Sequence, residues 1–400
     1  MSFPRVILRG GEETRIEAGH PWIYDNEIAE VQGSPAPAQV VDAESARGRY
    51  LGRGFFNPAS KIRVRLATRS KEGLDRGFWK RRVSEALDYR GAFLDVERDS
   101  FRLLFAEADG TPGLVADLFA SAEGQERVIV LQFASAGVEA RREDILGALR
   151  ERLPGTLLME RSDNRARAHE GLPPAERWAD PGCPESMTIS ERGLLMRVPL
   201  ASGQKTGHYL DQRDNRLAVA AYARGRTVLD AFCNTGGFGL QALRAGAASV
   251  EFVDSSAEAL RAARLNLELN RLDERRAFFM EANAFDFLRE AQRSKRRYGM
   301  VVLDPPPFAR DKESESAAWR GHKEINLRAL AILEEGGWIV TCSCSQRFGQ
   351  DKLLSCLREA ARDAGRSLRL AELRHQSPDH PILSGYPESL YLSCIIARAD

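Results

Sequence analysis

Cysteine is scarce in this chain: there are six in 400 residues, Cys183, Cys233, Cys342, Cys344, Cys356 and Cys394. None forms a C-x-x-C pair, and no histidine stands at zinc-ligand spacing from them. A disulfide framework and a metal site are therefore not expected, and a reducing cytoplasm is the simplest compartment. No apolar run approaches the roughly 18 residues a membrane-spanning helix needs, so no membrane partner is expected. The first residues hold neither a long apolar stretch nor a small-residue cleavage site, so no secretory signal is expected. Charge of one sign is also missing: 58 Lys and Arg face 57 Asp and Glu. That excludes a histone-like polycation or an acidic tail protein, but not a local basic face. No internal repeat or low-complexity tract is visible. What is present is enough apolar residue, 43%, for buried cores. At about 150 residues per domain the length implies two or three domains.

Three segments follow. Residues 1–70 read as short strands (6–8, 39–42, 50–56 and 61–66) punctuated by turns. Lys61 to Leu66 alternates basic and apolar residues, the period of a half-buried strand. The stretch 45–70 holds seven basic residues and no acidic one. A small basic β-barrel is expected, with Arg53, Lys61, Arg63 and Arg65 as candidate RNA contacts; the plainer alternative is a solvated strand face over buried phenylalanines. Residues 71–186 read as a central α+β domain, with helices at 74–89 and 136–153 and buried strands at 114–119 and 128–133. Residues 187–400 alternate strand and helix as in a doubly wound sheet. Its strands are expected at 227–231, 249–253, 277–281, 300–303, 338–342, 368–373 and 390–397. The last two have only a loop between them, which predicts an antiparallel final strand and a mixed sheet.

The first of these strands runs into a glycine-rich turn, Asp230-Ala231-Phe232-Cys233-Asn234-Thr235-Gly236-Gly237-Phe238-Gly239. The spacing is not G-x-G-x-x-G, so the dinucleotide fingerprint is a poor match. An aspartate at the strand end points to a cationic ligand group. Asp254 closes the second strand, where a carboxylate can accept both hydroxyls of a ribose. Asn283 closes the third and can meet an adenine edge. S-adenosylmethionine fits this set: Asp230 takes its ammonium, and the N–H groups of the turn through Phe232, Asn234 and Gly236 take its carboxylate. Ser255 and Ala284 adjoin the ribose and adenine positions.

The fourth strand ends in Asp304-Pro305-Pro306-Pro307-Phe308. Prolines donate no N–H, so their carbonyls are free to accept from a base amino group, and Phe308 can stack on that base. The fifth strand ends in Cys342-Ser343-Cys344-Ser345. Residues i and i+2 share a strand face, which leaves either cysteine as a candidate nucleophile. Cytosine C5 is inert until a thiolate adds to C6, whereas methylating an exocyclic amine needs no covalent step. The cysteine therefore decides the chemistry.

These motifs, with Gly19-His20-Pro21-Trp22-Ile23-Tyr24, Ala108-Asp109-Gly110-Thr111-Pro112-Gly113, Gly203-Gln204-Lys205-Thr206-Gly207-His208-Tyr209-Leu210-Asp211-Gln212-Arg213, Asp379-His380-Pro381 and Tyr386-Pro387-Glu388, resemble over nearly the full length the bacterial 23S rRNA cytosine-5 methyltransferases of the RlmI type. The resemblance implies a PUA-type RNA-binding barrel, a central α+β domain, and a class I, Rossmann-like methyltransferase domain with a seven-stranded mixed sheet. It implies S-adenosylmethionine as cofactor, 23S rRNA as partner and Cys344 as nucleophile. It places Gln204, Lys205, Thr206, Tyr209, Asp211 and Arg213 at the cofactor entrance, and Asp304 against cofactor or base. Pro307 stands where the family often has Lys, and Asn283 where relatives commonly have Asp. The proline loop holds no cysteine, so some other base must remove the C5 proton, with Asp304 and a water as candidates. Two other functions are carried beside this one: an exocyclic-amine rRNA methyltransferase using the Asp-Pro-Pro-Pro-Phe loop, and a non-catalytic RNA-binding or ribosome-assembly factor. The sequence leaves a homodimer open.

Overall fold

The computed structural model describes residues 3–124, 126–162, 166–173, 175, 178–202, 206–308 and 315–400. The chain divides into two compact units. One runs up to Ser190 and takes in Val198–Leu210 and Pro378–Ser389; the other holds Glu191–Arg197, Asp211–Ser377 and Leu390–Asp400. None of the described helices is long and apolar enough to cross a membrane.

In the first unit six strands form one sheet, in the order Trp22–Tyr24, Ile62–Thr68, Tyr50–Phe56, Val40–Glu44, Arg5–Leu8, Ile28–Gln32. Its alternating apolar residues close a small core in which Val6, Leu8, Ile16, Ile23, Val41 and Val64 are fully buried. Two of these strands, Trp22–Tyr24 and Ile28–Gln32, were not expected. The first has only three residues and the second, on the sheet edge, is mostly exposed, so neither carries a periodic signal. A second sheet of five strands (Phe101–Phe105, Leu114–Ala120, Arg127–Phe133, Leu157–Glu160 and Trp178–Ala179) packs with the helix Arg76–Gly91. Asp75 starts that helix by accepting from the Phe78 N–H at 3.1 Å.

The single helix expected at 136–153 is two, Ala136–Glu139 and Arg142–Arg152. Arg141 breaks it at φ −115°, ψ 17°. Its guanidinium donates to the carbonyls of Gly137 and Ala38 and lies 4.5 Å from the Phe55 ring. The Asp379 and Glu388 motifs, far along the chain, belong to this unit. Arg90 donates to the Asp379 carbonyl at 2.8 Å, the Arg102 N–H to the Asp379 carboxylate at 2.8 Å, and His20 bonds Glu388 at 3.2 Å.

In the second unit seven strands form the expected mixed sheet. They are β1 (Thr227–Ala231), β2 (Ser249–Asp254), β3 (Ala277–Glu281), β4 (Tyr298–Leu303), β5 (Leu333–Ser343), β6 (Leu368–Arg374) and β7 (Ser393–Ala399), in the order β3-β2-β1-β4-β5-β7-β6. The first five pair in parallel, and β7 runs antiparallel to both β5 and β6. The strand order reverses between β1 and β4. In open α/β sheets ligands bind beside the carboxyl ends of strands at such a switch point, and β1, β2, β4 and β5 all end there in the residues singled out above.

Candidate functional site

The turn after β1 is built by backbone conformation. Phe232 and Asn234 adopt positive φ (63° and 48°), and Gly236 follows at φ 84°. Such conformations are costly for side-chain-bearing residues and are kept where they aim backbone at a ligand. The helix that follows lies against β2 so closely that a Cβ on Gly239 would stand 2.3 Å from the Phe252 ring. The Gly239 N–H donates to Asp230 Oδ2 at 2.8 Å, while Asp230 Oδ1 is buried with no hydrogen-bond partner among the described residues. Burial pushes the Asp230 carboxyl up to about 7, and repulsion from Asp304 and Asp254 adds to it.

Asp254 is oriented by two backbone N–H groups: Asn234 donates to Oδ2 and Ser256 to Oδ1, each at 2.9 Å. Each oxygen keeps a lone pair for a further donor. Ser255 beside it is exposed. Asn283 caps the helix Ala284–Arg293, its Oδ1 accepting from the Phe285 N–H at 2.9 Å. The N–H of Ala284, in the first turn, has no partner within the helix. Asp304 Oδ1 accepts from Gln212 Nε2 at 3.0 Å. Gln212 is held in turn by Asn215, and Asn215 by Arg374. Three carboxylates therefore converge where one oxygen, Asp230 Oδ1, has no hydrogen-bond partner among the described residues. A ligand carrying a sulfonium and an ammonium relieves that crowding, a ribose suits Asp254, and an adenine suits the Asn283 corner. The residues present thus fit S-adenosylmethionine.

The two strand-end cysteines are separated. Cys342 is fully buried and opposite Cys394 on β7; that contact and burial push its thiol up. Cys344 lies one residue beyond the end of β5, so the period of two no longer governs it. It is half-buried, and its Sγ donates to the Pro305 carbonyl across 3.9 Å. Pro305 is buried, while Pro306 and Pro307 are exposed. An aromatic run, unforeseen in the sequence, crosses this region: Phe232 to Phe285 (6.2 Å between ring centres), Phe285 to Phe308 (5.6 Å), Phe308 to His322 (4.9 Å) and His322 to Phe348 (4.5 Å). Gln212 lies in the stretch 204–213 that the resemblance places at the cofactor entrance, but its bond to Asp304 was not foreseen, and the aromatic spacing only becomes a pattern once the strands are side by side.

The remaining candidates fall as follows. Gln204 and Lys205 lie outside the described residues. Thr206 and Tyr209 are in the first unit, where the Thr206 hydroxyl donates to Asp117. Asp211 and Arg213 are buried in the second unit; Asp211 accepts from the Tyr391 hydroxyl at 2.6 Å, and Arg213 lies 3.7 Å from Asp214. Among the basic residues expected to meet RNA, Arg65 and Arg53 are neutralised by acidic partners. Arg65 pairs with Glu107 (2.6 Å) and Glu170 (2.9 Å), and Arg53 grips Asp42 through two hydrogen bonds of 2.7 and 3.0 Å. Their acidic partners come from outside 45–70, with Asp42 just before it. Lys61 is exposed and Arg63 half-buried.

Comparison with known proteins agrees with this geometry. A family model described as S-adenosylmethionine-dependent methyltransferase matches residues 167–387, and a PUA-like domain model matches residues 6–69. Ribosomal RNA large subunit methyltransferase I of Shewanella denitrificans is 39% identical over 98% of this chain and 99% of its own length. The protein of that name from Klebsiella pneumoniae is 37% identical over 99% and 98%. The solved structure of a candidate S-adenosylmethionine-dependent methyltransferase from Streptococcus mutans superposes over the whole of both chains with a TM-score of 0.83 at 20% identity, a shared fold. The chain is thus a PUA-like domain joined to a methyltransferase domain whose cofactor is S-adenosylmethionine, and it belongs to the S-adenosylmethionine-dependent methyltransferase family, among the relatives named ribosomal RNA large subunit methyltransferase I.

Proposed function

We propose that this protein methylates carbon 5 of a cytosine in 23S ribosomal RNA, with Cys344 as the nucleophile. The observation that carries this reading is the placement of the two thiols. Cys342 is sealed against β7, whereas Cys344 is half-buried beside Pro305 at the carboxyl end of the sheet. Relatives that match the chain end to end bear the name of a ribosomal RNA methyltransferase, which supports the substrate class.

Cys344 gives its thiol proton to solvent water, and the thiolate adds to cytosine C6, which moves electron density onto C5. S-adenosylmethionine, when bound, supplies the electrophilic methyl group that C5 takes. Removal of the C5 proton then re-forms the C5–C6 double bond and expels the Cys344 thiolate. We assign that proton to Asp304, whose carboxylate Gln212 holds in place, or to a water bound by it. Pro306 and Phe308 border the base, and a base is extruded from its stack to reach such a pocket. Residues 1–70 and 71–186 hold the RNA, with Lys61 and Arg63 as backbone contacts, and residues 187–400 carry the chemistry.

The test is methylation of 23S rRNA transcripts followed by nucleoside mass spectrometry. Wild type yields 5-methylcytidine and Cys344→Ala yields none. An N-methylated base, or 5-methylcytidine from Cys344→Ala at the wild-type rate, overturns the proposal.

A further inference from the structure

The helix Glu315–Ile332 carries two residues that weaken it. Gly321 stands in its interior, where glycine's backbone freedom makes it a poor helix former. His322 is buried, and its Nδ1 has no hydrogen-bond partner among the described residues. Burial alone holds the imidazole down to about 4, so the ring is neutral at ordinary pH. A buried nitrogen without a partner costs stability that a plain hydrocarbon would not.

Both residues face the same ring. A Cβ on Gly321 would stand 3.1 Å from Phe308 Cδ2 and 3.3 Å from Cε2, so Phe308 rests directly on the helix backbone. The His322 ring meets Phe308 at 4.9 Å with planes tilted by 59°. On its other side His322 lies flat on Phe348, at 4.5 Å and 7°. Phe348 is four residues beyond Cys344, and its carbonyl accepts from the Ser343 hydroxyl at 2.8 Å. Gly321 and His322 therefore touch the loop after β4 and, through Phe348, the loop after β5.

We propose that Gly321 and His322 are positioning residues: they form a seat that fixes the plane of Phe308, and so the position of the cytosine stacked on it, a role that rests on the cytosine-5 reading above. A helix position unfavourable on two counts is explained by what it places. The alanine methyl of Gly321→Ala would push Phe308 off the seat by a few tenths of an ångström while favouring the helix. Stability and activity are then expected to move in opposite directions, which a purely structural role does not produce.

The experiment compares wild type, Gly321→Ala, His322→Ala and His322→Phe at saturating S-adenosylmethionine. It reads methylation of 23S rRNA, thermal midpoint and cofactor affinity. Base–aromatic stacking sets the scale, and Gly321→Ala should lose about 5- to 150-fold in kcat/KM for RNA. Its midpoint should hold or rise, and its cofactor affinity should stay within about twofold. His322→Ala loses activity similarly, and His322→Phe, which keeps a flat ring, recovers most of it. Wild-type rates in Gly321→Ala overturn the seat, as does a loss of rate matched by equal losses of midpoint and cofactor affinity. If wild type itself yields no 5-methylcytidine, the cytosine reading fails and the seat falls with it; if wild type does and the seat variants match it, only the seat fails.

Discussion

With Asp230 proposed to hold the cofactor's ammonium, cofactor binding is expected to be linked to a proton. The Asp230 carboxyl is raised from 3.8 to about 7 by burial, with Asp304 and Asp254 repelling its charge and Arg216 only partly offsetting them. A carboxyl raised on folding contributes stability that is fully present below pH 3.8 and lost as pH rises through about 7. A bound cation favours the ionised form, so S-adenosylmethionine displaces a proton when it binds at acid pH. For one proton released from a group titrating at about 7, affinity should fall about 25-fold between pH 7.5 and pH 5.5. The limiting slope is about tenfold per pH unit. Isothermal calorimetry across that range, repeated in buffers of different ionisation enthalpy, measures both the slope and the proton count. Asp230→Asn keeps the acceptor for the Gly239 N–H and removes the titration, so its profile should be flat and its affinity at pH 7.5 weaker. A flat wild-type profile, or an equal slope in Asp230→Asn, refutes the assignment of Asp230 to the cofactor's cationic end.

Two further outcomes are expected in the first unit. The Glu170 side chain is 2% exposed and accepts from Ser60, Asn57 and Arg65, so Glu170→Ala leaves a buried guanidinium half-paired and should cost about 3–5 kcal/mol in denaturant unfolding. Lys61→Ala should lower the salt dependence of RNA binding by about one unit of log K against log salt, whereas Arg53→Ala, which breaks the Asp42 pair, should lower the thermal midpoint and leave that slope unchanged.

The methyltransferase sheet was legible because its central strands β1 and β4 are short, buried apolar runs followed by turn residues. β1 was read at its full length, and the antiparallel last strand followed from the missing helix before it. The strands Ser186–Glu191 and Leu194–Pro199 were missed: Met187 and Ile189 alternate with polar neighbours, but Leu195 interrupts that period in the second strand and the surrounding Pro and Gly read as a linker. Arg65 shows the opposite limit. A local count of basic residues cannot reveal that Glu107 and Glu170, tens of residues away, neutralise the charge. The division of Cys342 from Cys344 depended on where β5 stops, the least readable feature of any strand. The seat under Phe308 joins residues 308, 321, 322 and 348, and no periodicity links them before the chain is folded.

The central claim is that one thiol bonds to the pyrimidine ring. A 23S rRNA fragment carrying 5-fluorocytidine blocks the final proton removal, so wild type with S-adenosylmethionine should accumulate a covalent protein–RNA adduct. Peptide mapping by mass spectrometry should place it on Cys344, and Cys344→Ala should form none. An unmodified Cys344 peptide, or an adduct that persists in Cys344→Ala, contradicts the account.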